Sequence, residues 1–416
     1  MSSLPYRDAP MRLCCVAEAY PWPPRGGYEL RLVHQIEALR SLGEVDVVCL
    51  DGSGRPRDPA PDGVRVLDAP EGPERPATRW LPRWAFSRLP RRLLRRDFDA
   101  ARGRVPTLVA DRYDVVLYCH VDGWRATHDL IRGPAILDYD NLEHLAIRGR
   151  RALGPDVAAD APGWRRLLLR ARWAAVGVLD GIDERRWDRV QRQAATQVER
   201  TLVCSELDVG RAGVANVVCL PNGYEGDRAP LDHVELRDPQ APVLLFVGML
   251  GYEPNADAVR WFATEVLPRV RAEVAGATFR VVGRDPDGVA DLARVDGVDL
   301  VGPVDDLRAE LDRADVSVVP IRFGAGTRLK VVEAMANRLP MVSTTVGCEG
   351  IDVAHRRELL VADDPSDFAA ACVELVRDRD LRRRLLDAAA ARYEERYRWS
   401  TIRGQLAELV REVAGA

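Results

Sequence analysis

Along the chain, short continuous apolar runs alternate with longer stretches in which apolar residues return every three or four positions. "MRLCCVAEAY" is a run of the kind that fills a strand covered on both faces. A Pro/Gly loop, "PWPPRGG", follows it, then "YELRLVHQIEALRSLG" with helical spacing, then a second strand, "EVDVVCLD". Strand, glycine-rich loop, helix and strand in that order predict a parallel sheet, because a parallel return needs a helical crossover. "DVVLYCH", "AILDYD", "RTLVCSE" and "NVVCLPNG" continue the series of short strands.

The stretch at 224–242, "YEGDRAPLDHVELRDPQAP", is polar, carries prolines and has no period, which marks a domain boundary. Alternation then restarts: "VLLFVGML", a helix from Ala256, "TFRVVGRDP", "VDLVGPV", a helix, "DVSVVPI", a helix from Arg328, "PMVSTTVG", "ELLVADD", and helices to the end. Two such halves predict an α/β chain of two doubly wound, Rossmann-like domains facing across a cleft. They are placed at 1–228 and 229–397, with 398–416 long enough to cross back onto the first. No repeat with a 20–50-residue period is visible.

Composition narrows the class. The chain has 416 residues, 47% hydrophobic and 30% charged, with a net charge of -4, so a nucleic-acid partner is not expected. "MSSLPYRDAP" has no apolar core and so is not expected to act as a signal peptide, and no apolar run approaches the ~20 residues that span a bilayer. The eight cysteines form no CxxC pair; Cys14, Cys15, Cys49, Cys204 and Cys219 sit in apolar runs and read as buried free thiols of a cytoplasmic protein. An Arg-rich stretch within 73–104, "RWLPRWAFSRLPRRLLRRDF", reads as a solvated helix covering the sheet. Its other reading is a basic amphipathic face on the inner, anionic side of a membrane.

Lys330 is the one lysine among 60 basic residues. Arginine elsewhere fits a GC-rich genome, which makes a position that keeps lysine informative. It lies just past the turn "RFGAGT" after a buried strand, in the first turn of "RLKVVEAMA", where Leu329, Val331, Val332, Met335 and Ala336 share one side. Lys330, Glu333, Ala334 and Asn337 fall on the other. A glycine-rich turn entering a helix aims backbone N–H groups and a positive dipole at one spot, which suits a phosphate. A lysine there opposes the dipole until an anion binds. Glu333, one turn on, is placed to take two ribose hydroxyls; the plainer reading is a surface Lys–Glu pair.

"PIRFGAGTRLKVVEAMANRLPMVSTTVGCEGI" resembles the C-terminal-domain signature of family 4 of the GT-B glycosyltransferases, and more narrowly its exopolysaccharide-type sugar transferases. "PPRGGYELRLVHQIEALRSLG", "VVCLPNGYE" and "FVGML" are similar to that family's first glycine loop, interdomain segment and first C-domain strand. The resemblance implies a metal-independent, cofactor-free retaining transferase using a UDP, GDP or dTDP sugar. Gly26 and Gly27 would lie under the donor diphosphate, and His120 near the transferred sugar. Gly248, Gly324, Ala325, Gly326 and Thr327 would give contacts to sugar and phosphates, Glu333 would hold the ribose, and the turn with Gly302 and Val304 would sit by the base.

Two departures stand out. Ala325 occupies the place of a sugar-gripping glutamate, and Met249 that of a loop arginine. Arg328 and Lys330 are therefore expected to serve as the diphosphate clamp, with Lys330, Arg328 and His120 as the catalytic set. Tyr139, Asp140, Glu143 and His144 are candidate contacts for a saccharide, lipid-linked or small-molecule acceptor, a capped helix start being the competing reading. A nucleotide-sugar epimerase and a catalytically silent nucleotide-binding protein are the alternatives.

Overall fold

The computed structural model describes residues 10–153, 163–226, 233–324 and 326–415. All but the last residue of the N-terminal stretch "MSSLPYRDAP", the expected boundary at 228/229 and Ala325 lie outside the described residues. The chain divides into two compact units, 1–221 with 402–416, and 222–401.

The first unit is built on seven parallel strands: β1 (Met11–Ala17), β2 (Gly43–Cys49), β3 (Val64–Asp68), β4 (Val115–Cys119), β5 (Ala135–Asp138), β6 (Arg200–Val203) and β7 (Val217–Cys219). Their spatial order is β3-β2-β1-β4-β5-β6-β7. The second unit has β8 (Val243–Val247), β9 (Thr278–Val282), β10 (Val298–Gly302), β11 (Val316–Val319), β12 (Met341–Ser343) and β13 (Leu360–Val361) in the order β10-β9-β8-β11-β12-β13. In each sheet the chain runs outward to one edge, then returns to start again beside its first strand. The reversal falls between β1 and β4 and between β8 and β11, and the loops that leave neighbouring strands there in opposite directions open a crevice at the strands' C-terminal ends.

The central strands are continuous apolar runs because helices cover both faces: Leu13 to Ala17, Val115 to Cys119 and Leu244 to Phe246 are all buried. The second core adds aromatic contacts, Phe262 against Phe279 at 4.3 Å and edge-on to Phe368 at 5.8 Å. Close approach at the β8 crevice requires glycine: a Cβ on Gly283 would fall 1.7 Å from the Gly248 carbonyl oxygen.

Several expectations are corrected. The helix after β8 starts at Glu253, ahead of Ala256, with Pro254 in its first turn where a missing N–H costs nothing. The helix after β11 spans Leu329–Ala336, with Arg328 as its N-cap, and Ala334 and Asn337, on the side opposite Val331 and Val332, are buried too. Cys219 and Cys348 are half-buried; the other six free cysteines are buried. Strand β3 and a 33-residue helix, Gly163–Ala195, add to the elements read from the sequence.

Candidate active site

In the first unit three residues converge from three strand ends. Glu18 follows β1, His120 follows β4, and Asp140 lies two residues past β5, all on the C-terminal side of the sheet. His120 begins the helix Val121–Thr127 with φ 80° and ψ 155°. A non-glycine residue held there costs on the order of 1–3 kcal/mol, so its surroundings must over-determine it. They do: its ring stacks on Tyr28 at 4.4 Å, Nδ1 lies 3.9 Å from Glu18 Oε2, and Nε2 lies 3.9 Å from Asp140 Oδ2.

Glu18 is itself held. The Gly123 amide donates to Oε1 at 2.9 Å, and Arg96 donates to Oε2. Arg96 also binds Glu71 at 2.8 and 3.0 Å and lies 3.2 Å from Asp122. Burial alone would raise the Glu18 carboxyl, but His120 and Arg96 outweigh it and bring it down to about 2. Burial works against the His120 charge too, yet Asp140 and Glu18 hold that imidazole well above its ordinary value. The two flanking carboxylates thus favour the protonated ring, in which both nitrogens are donors.

The four acceptor candidates are placed by their packing as follows. Tyr139 is buried with its hydroxyl donating to the Gln191 carbonyl, and His144 is buried 3.9 Å from Asp188. Glu143 accepts from Arg92 at 2.7 Å, and Asp140 belongs to the His120 cluster. The segment after β5 meets the long helix, where Gln191 takes its backbone groups; Tyr139 and His144 face inward, and Asp140 and Glu143 are half-buried. Arginines of the Arg-rich segment also turn inward: Arg91 donates to Asp183 at 2.6 Å and Arg92 to Asp122 at 2.8 Å. Gly26 and Gly27 are exposed at the start of the helix Gly27–Arg40.

The second unit gathers Gly248, Gly324, Gly326, Thr327, Arg328 and Lys330 at the reversal between β8 and β11. Gly324 and Gly326 have φ of 121° and 80°, so the turn bends in a way few other residues accept. Thr327 Oγ1 accepts from Asn222 Nδ2 at 3.0 Å, and Arg328 Nη1 donates to the Gly326 carbonyl at 2.6 Å. Lys330 Nζ donates to Asn255 Oδ1 at 2.9 Å and lies 4.0 Å over the Phe246 ring. A Cβ on Gly248 would approach that Nζ to 3.1 Å, so the glycine keeps the loop against the lysine. Asn255 is fixed in turn, donating to the Met249 carbonyl at 2.9 Å.

Among the described residues no carboxylate pairs with Lys330, and the Glu333 carboxylate accepts no hydrogen bond. Burial and the neighbouring Arg328 push the ammonium down to about 7, although Asn255 and the Phe246 face favour its charge. Burial raises Glu333 to about 7 against the pull of Lys330. Met249 and Tyr252 are exposed in the loop where a family arginine was expected. Gly302 ends β10, two strands from β8, a lateral span of about 10 Å at ordinary strand spacing, and Val304 follows it, half-buried. Among the described residues no three of His, Cys, Asp and Glu converge where a metal ion would sit.

Sequence reasoning missed Glu18, Arg96 and Asn255. Glu18 carried one signal, a charge directly at the C-terminal end of a buried run, where α/β sheets place their ligands. Arg96 and Asn255 carried none.

The family described as "Glycosyl transferases group 1" matches residues 241–378. An uncharacterized 44.6 kDa protein of the cps region of Klebsiella pneumoniae is 31% identical over 135 residues, 30% of this chain and 35% of its own. A GDP-mannose-dependent alpha-(1-6)-phosphatidylinositol monomannoside mannosyltransferase of Mycobacterium tuberculosis is 30% identical over 222 residues, 47% of this chain and 56% of its own. The chain thus spans about a third and about half of these curated relatives. The structure of sucrose-phosphate synthase from Thermosynechococcus elongatus superposes with a TM-score of 0.68 at 18% identity, covering 97% of this chain and 99% of that one. The likeness to that structure is one of fold, two parallel-sheet domains, and residues 241–378 carry the similarity to the group 1 glycosyl transferases.

Proposed function

We propose that the chain is a retaining, metal-independent transferase that moves a sugar from a nucleoside-diphosphate sugar to an acceptor hydroxyl in glycan assembly. The observation that carries this reading is Lys330: a half-buried ammonium, beside Arg328, at a helix start, with no carboxylate at ion-pair distance among the described residues. A diphosphate supplies the missing charge, and its base would reach Gly302 and Val304 with Glu333 on the ribose. The nucleotide-sugar dependence in the mycobacterial relative's name and the capsule-region setting of the other support the donor class and the glycan pathway.

In this mechanism Lys330, Arg328 and the Gly324–Thr327 amides stabilise charge that develops on the departing phosphate, which lowers the barrier because it grows in the transition state. The cationic His120 donates to the sugar and accepts no proton. The acceptor proton therefore passes to the leaving phosphate oxygen, and attack on the leaving-group face retains configuration. No cofactor enters this scheme.

Thermal shift with UDP, GDP, dTDP and ADP tests it. A ligand at 100 times its Kd adds about 2.7 kcal/mol to the native state. One diphosphate is expected to stabilise the wild type and not Lys330→Ala; no shift with any of the four sinks the reading.

We also propose cytoplasmic contact with an anionic bilayer. Phe86 is 94% and Leu81 50% exposed beside exposed Arg79, Arg83 and Arg88, and Trp164, Leu167 and Leu168 are exposed near Arg170 and Arg172. Arginines around unpartnered apolar side chains match an anionic interface. No helix among the described residues is long and apolar enough to cross a membrane. Sedimentation with phosphatidylglycerol vesicles, lost in Leu81→Ser/Phe86→Ser, is the expected result; equal sedimentation with neutral vesicles would oppose it.

A further inference from the structure

We infer that a crevice beside Glu18 in the first unit is a subsite for one sugar ring of a saccharide acceptor; this rests on the transferase reading above. The crevice holds about 200 Å³ and is lined by Tyr20, Trp22, Arg25, Glu29 and Asp51 as well as Glu18. Drug-sized ligands take about 300–1,000 Å³, so this space suits a single ring with the rest of its chain outside.

Position ties the crevice to the chemistry. Glu18 is both its wall and the carboxylate 3.9 Å from His120 Nδ1, so a hydroxyl held here lies one side chain from the group assigned to the transferred sugar. The walls are pre-set. Tyr20 and Trp22 meet edge to face at 5.7 Å and 77°. The Tyr20 hydroxyl donates to the Asp58 carbonyl at 2.6 Å, its amide donates to Asp51 Oδ2 at 3.2 Å, and the Arg57 guanidinium covers its ring at 4.5 Å. Trp22 is left half-buried as the aromatic face on which the C–H side of a pyranose can lie.

The polar groups choose among ligand classes. Arg25 is anchored on the Pro56 carbonyl at 3.0 Å. Glu29 is half-buried in the first helical turn, and its carboxylate has no hydrogen bond or ion pair among the described residues. A phosphate would meet Glu18, Glu29 and Asp51; an ammonium would meet Arg25 and Arg57. An alkyl chain would strip water from all of them without return. A polyol donates and accepts at every hydroxyl, so carboxylates and guanidinia arranged around one aromatic face satisfy it on all sides.

Saturation-transfer NMR on the full chain tests this, with methyl α- and β-glycosides of glucose, galactose, mannose, rhamnose and N-acetylglucosamine as probes. At least one glycoside is expected to receive saturation, with its apparent Kd raised tenfold or more in Glu29→Gln and in Trp22→Ala. Glu29→Gln keeps the shape of a half-buried group that holds nothing together, so it reports even where Trp22→Ala folds poorly. No signal from any glycoside, or binding unchanged in both variants, overturns the proposal. The donor reading is scored separately by the diphosphate shift, which Trp22→Ala and Glu29→Gln leave intact and Lys330→Ala removes. Glycoside binding without any diphosphate shift would keep the subsite and discard the transferase.

Discussion

The two units carry the same sheet order and place their functional groups at the same reversal, yet they finish the site differently. Around His120 every charge is answered inside the protein: Glu18 and Asp140 face the imidazole, and Arg96 backs Glu18. Around Lys330, Arg328 adds a second positive charge, and among the described residues the Glu333 carboxylate accepts no hydrogen bond. The first arrangement is complete without a ligand and is expected to be rigid. The second leaves two cations side by side, which is the charge an anionic donor would relieve if the proposed function holds.

The largest effect expected from breaking this contrast is at Glu18. Glu18→Gln leaves Arg96 and His120 as neighbouring cations with one counter-charge fewer, and removing one member of a buried pair costs about 3–5 kcal/mol. Urea unfolding measures it, and the difference has a definite pH dependence. The folded carboxyl sits at about 2 against an ordinary 4.5, so its contribution is fully present above 4.5 and is lost as pH falls toward 2. Wild type and variant should converge across that window. A constant gap would show that Glu18 acts by packing and not by charge.

Lys330 sharpens the other half. A free ammonium at about 7 is charged below that pH, so its phosphate contact strengthens as pH falls; Glu333, raised to about 7, accepts from ribose hydroxyls best as pH rises. Affinity for a nucleotide sugar, which has no group of its own titrating there, should peak near pH 7. Glu333→Gln should keep only the alkaline fall and Lys330→Met only the acid fall. Loss of the charged contact should weaken binding about 10- to 100-fold, in line with about 1.5–3 kcal/mol for a charge-assisted bond. Calorimetry in two buffers should record proton uptake by the wild type above pH 7; a flat profile in all three proteins would remove both groups from the nucleotide.

How much of this was legible follows from how each feature is encoded. Buried parallel strands announce themselves as apolar runs, so β1, β4, β8 and β11 could be read directly. Lys330 was legible because composition made lysine an exception. The edge strand β3 was not, since only Leu67 of its five residues is buried. The helix Gly163–Ala195 escaped because its apolar residues wind around it, with Trp164 and Leu167 exposed and Trp187 and Val190 buried. The Glu18–His120–Asp140 cluster exists only through strand register, which brings together the ends of three strands, with Glu18 102 residues before His120 and Asp140 20 after it. Arg96 is the same case within a segment whose composition suggested solvent.

The smallest expected effect tests whether the glycine turn is positioned from outside itself. Asn222, in the Pro-Asn-Gly segment, is buried, and its Nδ2 donates to Thr327 Oγ1 at 3.0 Å across 105 residues of sequence. A neutral hydrogen bond contributes about 1 kcal/mol net, so Asn222→Ala should lower stability by about that much. Because the bond ends on the turn proposed to offer its amides to the phosphates, the same change should weaken nucleotide binding by about fivefold, close to the same 1 kcal/mol. Thr327→Val removes the other partner while keeping the side chain's shape. The double variant then decides the matter: if the bond positions the turn, the two losses overlap and the coupling energy is about 1 kcal/mol. Strictly additive losses would mean that Asn222 stabilises its own segment alone, and that the turn takes its shape from Gly324 and Gly326 without help.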